Sequence, residues 1–141
     1  INPDIRLIFT ISPYRYAKYG YHGSQLSKSV LLLAVESVCE SLPDVCHYFP
    51  SYEILLDELR DYRFYAEDMH HPSAQAIDYI WSRLAQCAFS TQTMQYLKEY
   101  EPIRKGLLHR PLQANAEEEK ARRADLESRA KAIRQKYGIS L

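Results

Sequence analysis

The chain has 141 residues, of which 46% are apolar and 26% charged, so it can bury the core of one domain and is too apolar for wholesale disorder. Its 18 Lys and Arg residues balance 18 Asp and Glu residues. This balance excludes a net basic field for nucleic acid or anionic lipid and leaves only a local basic patch open, so we expect no nucleic-acid and no membrane partner.

Cysteine usage and the first residues bear on the origin of the chain. The three cysteines, Cys39, Cys46 and Cys87, are an odd number, which argues against a disulfide framework and favours a reducing, cytoplasmic compartment. The longest apolar run, residues 30–35, is too short to cross a bilayer. The chain begins at Ile1 without a Met and soon enters an apolar segment, so we expect it to be a piece of a longer protein.

The first predicted elements form one βαβ unit. Residues 5–11 are short, β-branched and almost all apolar, which predicts a strand buried on both faces. A Tyr- and Gly-rich loop follows over residues 14–23. Ser24 can cap a helix over 25–41, whose apolar centre we expect to be covered. With a second strand over 45–49, this order predicts a parallel crossover whose first loop leaves the carboxyl edge of the sheet, where open α/β folds bind ligands.

Helices dominate the rest of the prediction. A short helix is expected over 52–59 and an irregular segment over 60–71, and Pro72 suits the first turn of the helix that follows. Ser90 restarts a helix that we expect to be kinked or broken at Pro102.

The last part of the chain is a linker and a charged helix. Pro111 marks the linker, and Asn115 with Glu118 three residues later resembles a capping box. A thin apolar stripe, from Leu126 to Tyr137, leaves two interpretations open. The helix is either solvated and docked by that stripe, or it is a partner-binding or coiled-coil arm.

The densest polar cluster is residues 62–72. Within it, Asp68 and His71 stand three residues apart in a turn before a helix, a spacing that lets the carboxylate reach the imidazole Nδ1–H. The other ring nitrogen is then free to act as a general base. The helix N-terminus disfavours imidazolium, and Asp68 offsets that effect. The alternative is that Asp68 or His71 simply caps the Pro72 helix.

Other candidate sites have weaker support. His70 and His71 with Asp68 and Glu67 suggest a metal, but adjacent histidines in a strand point to opposite faces, so we expect no metal. The cysteines lie among apolar neighbours and are expected to be buried small hydrophobes. No Gly-x-Ser-x-Gly elbow supports a serine nucleophile within the chain.

Tyrosine is abundant, with 12 residues. Eight of them fall in or beside the two irregular segments and the Pro72 helix. These are Tyr14, Tyr16, Tyr19, Tyr21, Tyr52, Tyr62, Tyr65 and Tyr79. Together with Arg15 and Arg63, they either line a pocket for a sugar or another polar ligand or pack as an amphipathic wall between layers.

Four spaced motifs carry a family resemblance. They are Thr-Ile-Ser-Pro-Tyr-Arg at 10–15, His-Gly-Ser-Gln-Leu-Ser-Lys-Ser at 22–29, Tyr-Phe-Pro-Ser-Tyr-Glu-Ile at 48–54, and Asp-Tyr-Arg-Phe-Tyr-Ala-Glu-Asp-Met-His-His-Pro at 61–72. In this order they resemble the GSCFA-domain family of bacterial proteins, which is similar to the SGNH (GDSL-like) hydrolases. The resemblance covers about residues 5–88.

The resemblance implies an α/β fold, the C-terminal part of a flavodoxin-like three-layer sandwich. On that basis residues 1–89 would be the C-terminal half of the SGNH-like domain and 90–141 a helical extension. Asp68 and His71 match the orienting Asp and the base of the family's Asp-x-x-His-Pro motif. The Gly-Ser-Cys-Phe-Ala motif with the nucleophile is absent from this chain, so we expect the chain alone to be inactive.

The implied reaction is ester hydrolysis or acyl transfer on an acylated small molecule or glycan, with no cofactor. Candidate substrate contacts are His22, Gln25, Lys28, Tyr52 and Glu53, for which helix capping and solvation are the alternative. Unpaired strand edges would favour self-association. The competing function is a non-catalytic module that binds a partner or ligand through the Tyr-rich loops and the charged helix.

Overall fold

The computed structural model describes residues 2–109 and 115–139. The chain divides into two compact units, Ile1–Gln86 and Cys87–Leu141. The described elements are mostly helical, with one small parallel sheet, so the fold is mixed α/β. In chain order they are β1 (Leu7–Thr10), α1 (Gly20–Ser41), β2 (Cys46–Phe49), α2 (Ser51–Glu53) continued by a π-helix (Ile54–Leu59), a 3₁₀ turn (Tyr62–Phe64), α3 (Ala74–Ala88), α4 (Thr91–Leu108) and α5 (Ala116–Lys136).

The predicted βαβ unit is present. β1 and β2 pair in parallel, from Leu7 opposite Cys46 to Thr10 opposite Phe49, and α1 connects them. α1 begins earlier than predicted, at Gly20, whose φ of 72° lies in the left-handed region open to glycine. Ser24 is therefore inside the helix and not its cap. Its Oγ instead accepts the Tyr16 N–H at 3.1 Å.

Burial in this unit differs from the prediction. β1 was expected to be buried on both faces, yet Ile8 is 52% exposed. The apolar centre of α1 was expected to be covered, yet Leu33 is 73% exposed. Within the described residues the sheet has only two strands, so β1 has a neighbour on one side and little packs over these surfaces.

One core cluster of the first unit contains Leu55, Tyr65 and Ala76, with partly buried apolar side chains from the π-helix, the 3₁₀ turn and α3 packed against them. Ile11 after β1 and Phe49 of β2 are buried as well. The predicted short helix over 52–59 is α2 and the π-helix together, and it ends at Arg60, whose φ is 57°. The expectation that all three cysteines are buried holds for Cys46 alone, because Cys39 is half-buried and Cys87 is exposed.

The second unit is built on α4 and α5. Of the kink or break predicted at Pro102, the break is absent, because α4 is continuous through this residue. The next residue, Ile103, is buried against Leu126 and Ala130 of α5. This packing offsets the backbone hydrogen bond that proline removes. Asn115 caps α5 as predicted, although its Oδ1 accepts the Glu117 N–H at 3.2 Å and not that of the third helical residue.

The stripe on α5 is docked in this unit, as the first of the two interpretations requires. Arg122 reinforces it by donating to the Gly106 carbonyl at 2.8 Å and pairing with Glu119. The predicted linker at Pro111 lies outside the described residues. No helix in the described part of the chain is long and apolar enough to cross a membrane.

Candidate active site

The loop that carries Asp68 and His71 is closed at its base. Tyr65 and Pro72 form an antiparallel bridge, and the Ala66 N–H donates to the His71 carbonyl at 2.8 Å. The Met69 N–H donates back to the Ala66 carbonyl at 2.9 Å, with Met69 at a φ of 63°. Because Tyr65 is buried in the core, the loop is held on a rigid base.

The two oxygens of Asp68 have separate tasks. Oδ1 accepts the backbone N–H groups of His70 and His71 at 2.9 and 3.0 Å. Oδ2 lies 2.5 Å from Nδ1 of the His71 ring. The backbone therefore fixes the carboxylate, and the carboxylate fixes the imidazole with its proton on Nδ1. Nε2 of His71 makes no hydrogen bond within the described residues, which leaves its lone pair available.

The electrostatics favour an ionised Asp68 carboxylate, and the ring of His71 is open to solvent. The pKa of Asp68 lies far below its usual range, first because the His71 backbone N–H donates to it, then because of the His71 side chain and the His70 backbone N–H. The side chains of His71 and Asp68 are 62% and 45% exposed. The imidazole can therefore exchange protons with a molecule bound from solvent.

The alternative interpretation, in which Asp68 or His71 caps the following helix, does not hold, because another residue caps it. α3 begins at Ala74, so Pro72 precedes the helix and does not stand in its first turn as predicted. Ser73 Oγ accepts the Ala76 N–H at 3.3 Å, and the Ile77 N–H donates to the Ser73 carbonyl. Ser73 is the capping residue, and the Asp68 carboxylate is used by the loop and by the ring of His71.

The β1–α1 loop packs over this loop, as its expected place at the carboxyl edge of the sheet suggests. The ring centroids of Tyr14 and His71 are 4.5 Å apart, at an interplanar angle of 41°. The backbone N–H of Arg15 donates to the His70 carbonyl at 3.0 Å, and the guanidinium carbon of Arg15 lies 3.8 Å from the centroid of the Tyr65 ring. The sequence assigned Tyr14 no contact with His71, and the signals for it were its place in the first motif and among the clustered tyrosines.

The predicted contact residue Lys28 has an internal task. It is buried, and its Nζ donates to the Ser12 carbonyl at 2.7 Å, which ties α1 to the β1–α1 loop. Burial lowers the pKa of this ammonium group. Lys28 Nζ also lies 5.6 Å from the centroid of the Tyr52 ring. Lys28 thus positions the loop whose Tyr14 packs on the ring of His71.

A cleft of about 430 Å³ lies between the two loops and the start of α1. Its polar and aromatic lining consists of Arg15, Tyr21, Ser24, Gln25, Tyr52 and Tyr62. Leu56 and Met69 complete the lining. Two predicted contact residues meet here, because the Tyr52 hydroxyl donates to Gln25 Oε1 at 2.7 Å. The cleft also adjoins the candidate pair through Met69, the residue after Asp68.

The other two predicted contact residues lie elsewhere. Glu53 accepts the Tyr48 hydroxyl at 2.8 and 3.0 Å and lines a second cavity of about 210 Å³ with Leu33. Burial, followed by this carboxylate, raises the pKa of Tyr48. His22 is exposed on α1 and is not among the residues that line the first cleft.

No group of three or more His, Cys, Asp or Glu side chains within residues 2–109 and 115–139 is arranged to hold a metal ion. In particular, His70 and His71 do not form such a group with Asp68 and Glu67. The Nδ1 atom of His70 is buried without a hydrogen-bond partner among the described residues.

Comparison with known proteins gives one match. The model of the GSCFA family matches residues 1–84. No curated protein and no solved structure matches the chain. The matched segment contains the βαβ unit, both loops of the candidate site and α3 as far as residue 84.

Proposed function

The chain belongs to the GSCFA family, and from that premise we propose that it carries the Asp–His pair of a serine hydrolase of the SGNH (GDSL-like) type. The observation that carries the proposal is the hydrogen-bonding of Asp68. One of its oxygens is clamped by two backbone N–H groups and the other orients Nδ1 of His71. This is the arrangement by which a carboxylate prepares a histidine to act as a base.

The proposed reaction is ester hydrolysis or acyl transfer. A serine hydroxyl attacks the ester carbonyl carbon while Nε2 of His71 takes its proton. The ester C–O bond then breaks, the alcohol leaves with that proton, and the acyl group remains on the serine. Water or an acceptor hydroxyl repeats the attack on the acyl-serine, again with His71 as base. Asp68 stabilises the imidazolium formed at each step.

We propose that the attacking serine lies on a segment outside these 141 residues. Among the described residues, no serine hydroxyl donates to Nε2 of His71. The exposed apolar side chains of β1 and α1, such as Ile8 and Leu33, support a larger flavodoxin-like sandwich, because further strands and helices would cover them there. A second copy of the chain pairing along β1 would cover part of the same surface.

The test is hydrolysis of p-nitrophenyl acetate by a longer protein that contains this chain. We expect His71→Ala to lower kcat by at least about 10³-fold, because the members of a triad act as a unit. His47→Ala is the matched control, since His47 is exposed on β2 and lies outside the candidate site. The 141-residue chain alone should be inactive.

Two results would contradict the proposal. The first is activity of the longer protein that His71→Ala leaves unchanged, because His71 would then not be the base. The second is a longer protein inactive toward p-nitrophenyl acetate and toward a series of acetylated saccharides. That result would favour the second candidate, a non-catalytic binding module, which the Tyr-lined cleft supports.

A further inference from the structure

The lining of the cleft combines aromatic faces with polar groups, which suits a polar, ring-shaped ligand. Six of its eight side chains are aromatic or polar, and only Leu56 and Met69 are aliphatic or thioether. An acyl chain placed here would remove the polar groups from water without giving them hydrogen-bond partners, which costs free energy. The cleft volume, about 430 Å³, falls in the range of sites for small organic ligands.

Gln25 is oriented before any ligand binds. Its Oε1 accepts the Tyr52 hydroxyl at 2.7 Å, so its Nε2 is left with two N–H donors. Nε2 makes no hydrogen bond within the part of the chain that the structure describes. A fixed pair of donors in a cleft suits a hydroxyl or ring oxygen, and the rotamer entropy of Gln25 is already lost.

Arg15 and Tyr62 supply a second donor group and a flat face. The Arg15 guanidinium is stacked on the Tyr65 ring, and its one side-chain hydrogen bond to described residues is a 3.5 Å contact with the Met69 carbonyl. Most of its N–H groups therefore remain available. Tyr62 is 71% exposed and lines the cleft, so the face of its ring is open to a ligand.

We propose that this cleft binds a carbohydrate, so that the substrate of the hydrolase is an acylated glycan. The assignment of the substrate rests on the proposed function, whereas the binding of the sugar does not. The C–H faces of a sugar ring would stack on Tyr62 and Tyr21, and its hydroxyls would accept from Gln25 and Arg15. Asp68 and His71 do not line the cleft themselves, but Met69, the residue after Asp68, does, so a bound sugar would lie next to the loop that holds the pair.

The test is an NMR titration of the ¹⁵N-labelled 141-residue chain with xylobiose, N,N′-diacetylchitobiose and methyl β-glucoside, and with methyl butyrate, an uncharged ester, as an acyl probe. We expect at least one saccharide to move the side-chain amide signals of Gln25 saturably, and methyl butyrate to leave them unchanged. Tyr62→Ala should weaken that binding about fivefold or more, as loss of one aromatic contact predicts. Tyr19→Ala is the matched control, because Tyr19 is 67% exposed and lies outside the cleft.

The outcomes separate this inference from the proposed function. His71→Ala should keep the saccharide binding, since that binding needs no chemistry. The inference is overturned if no saccharide shifts the Gln25 amide signals, or if the acyl probe methyl butyrate alone shifts them. It is also overturned if Tyr19→Ala weakens saccharide binding as much as Tyr62→Ala does. Ester hydrolysis that depends on His71 would survive each of those results. Conversely, saccharide binding would survive a longer protein that proves inactive.

Discussion

Replacing Asp68 by Asn tests the assignment of the pair with the least change of shape. Asn can keep Oδ1, which accepts the backbone N–H groups of His70 and His71 at 2.9 and 3.0 Å. The side-chain NH₂ must then take the place of Oδ2, which lies 2.5 Å from Nδ1 of His71. An NH₂ group can only donate, so Nδ1 must become an acceptor and the imidazole proton moves to Nε2.

The expected loss of activity follows from that wrong tautomer. A base whose Nε2 is already protonated cannot take the serine proton, and the equivalent substitution in a serine protease triad lowers kcat about 10⁴-fold. Here the ring and the carboxylate are 62% and 45% exposed, so water can replace part of the lost hydrogen bond. We therefore expect kcat of a longer protein containing the chain to fall about 10²- to 10⁴-fold.

Two measurements check this prediction. One is kcat with p-nitrophenyl acetate, and the other is ¹⁵N NMR of the His71 ring in the 141-residue chain, at a pH where the imidazole is neutral. Asp61→Asn is the control, because its Oδ1 also accepts a backbone N–H, that of Arg63 at 2.9 Å, but has no contact with His71. Full activity of Asp68→Asn, or a His71 ring that keeps its proton on Nδ1, would refute the reasoning.

Two further predictions concern stability. A glycine-to-alanine change in a helix normally stabilises a protein by about 1 kcal/mol. The Cβ of Gly106→Ala, however, would lie 3.0 and 3.2 Å from the two Cδ atoms of buried Leu126, so we expect urea denaturation to show a net loss of about 1 kcal/mol in the free energy of unfolding. In a Leu126→Ala background the same change should raise the free energy of unfolding. A gain in both backgrounds would contradict the packing argument. Burial lowers the pKa of Lys28 from 10.5, so between the lowered value and 10.5 the unfolded chain binds more protons than the folded chain. In that pH window the free energy of unfolding should therefore rise with pH more steeply than it does for Lys28→Met. Parallel pH profiles for the two chains would show that Lys28 is not depressed.

Local sequence signals determined the elements and the candidate pair. The βαβ order could be predicted because β-branched runs and a long helix have distinct periodicities, and the Asn115 cap because capping involves neighbours in sequence. Asp68 and His71 were found for the same reason, since three residues of one turn bring the carboxylate to the ring. The family resemblance added the motif that singles this pair out, and the family is confirmed over residues 1–84.

Tertiary structure decided what depends on contacts distant in sequence. Periodicity could not tell that Lys28 is buried under the β1–α1 loop, that Tyr14 packs on His71, or that Tyr52 holds Gln25, because each contact joins different elements. It also could not tell that α4 passes through Pro102, since the buried residues on α5 outweigh a local helix-breaking preference. The apolar runs of β1 and α1 indicate surfaces that favour burial, but whether these surfaces are covered depends on which other elements pack against them. In the described structure much of that surface is exposed.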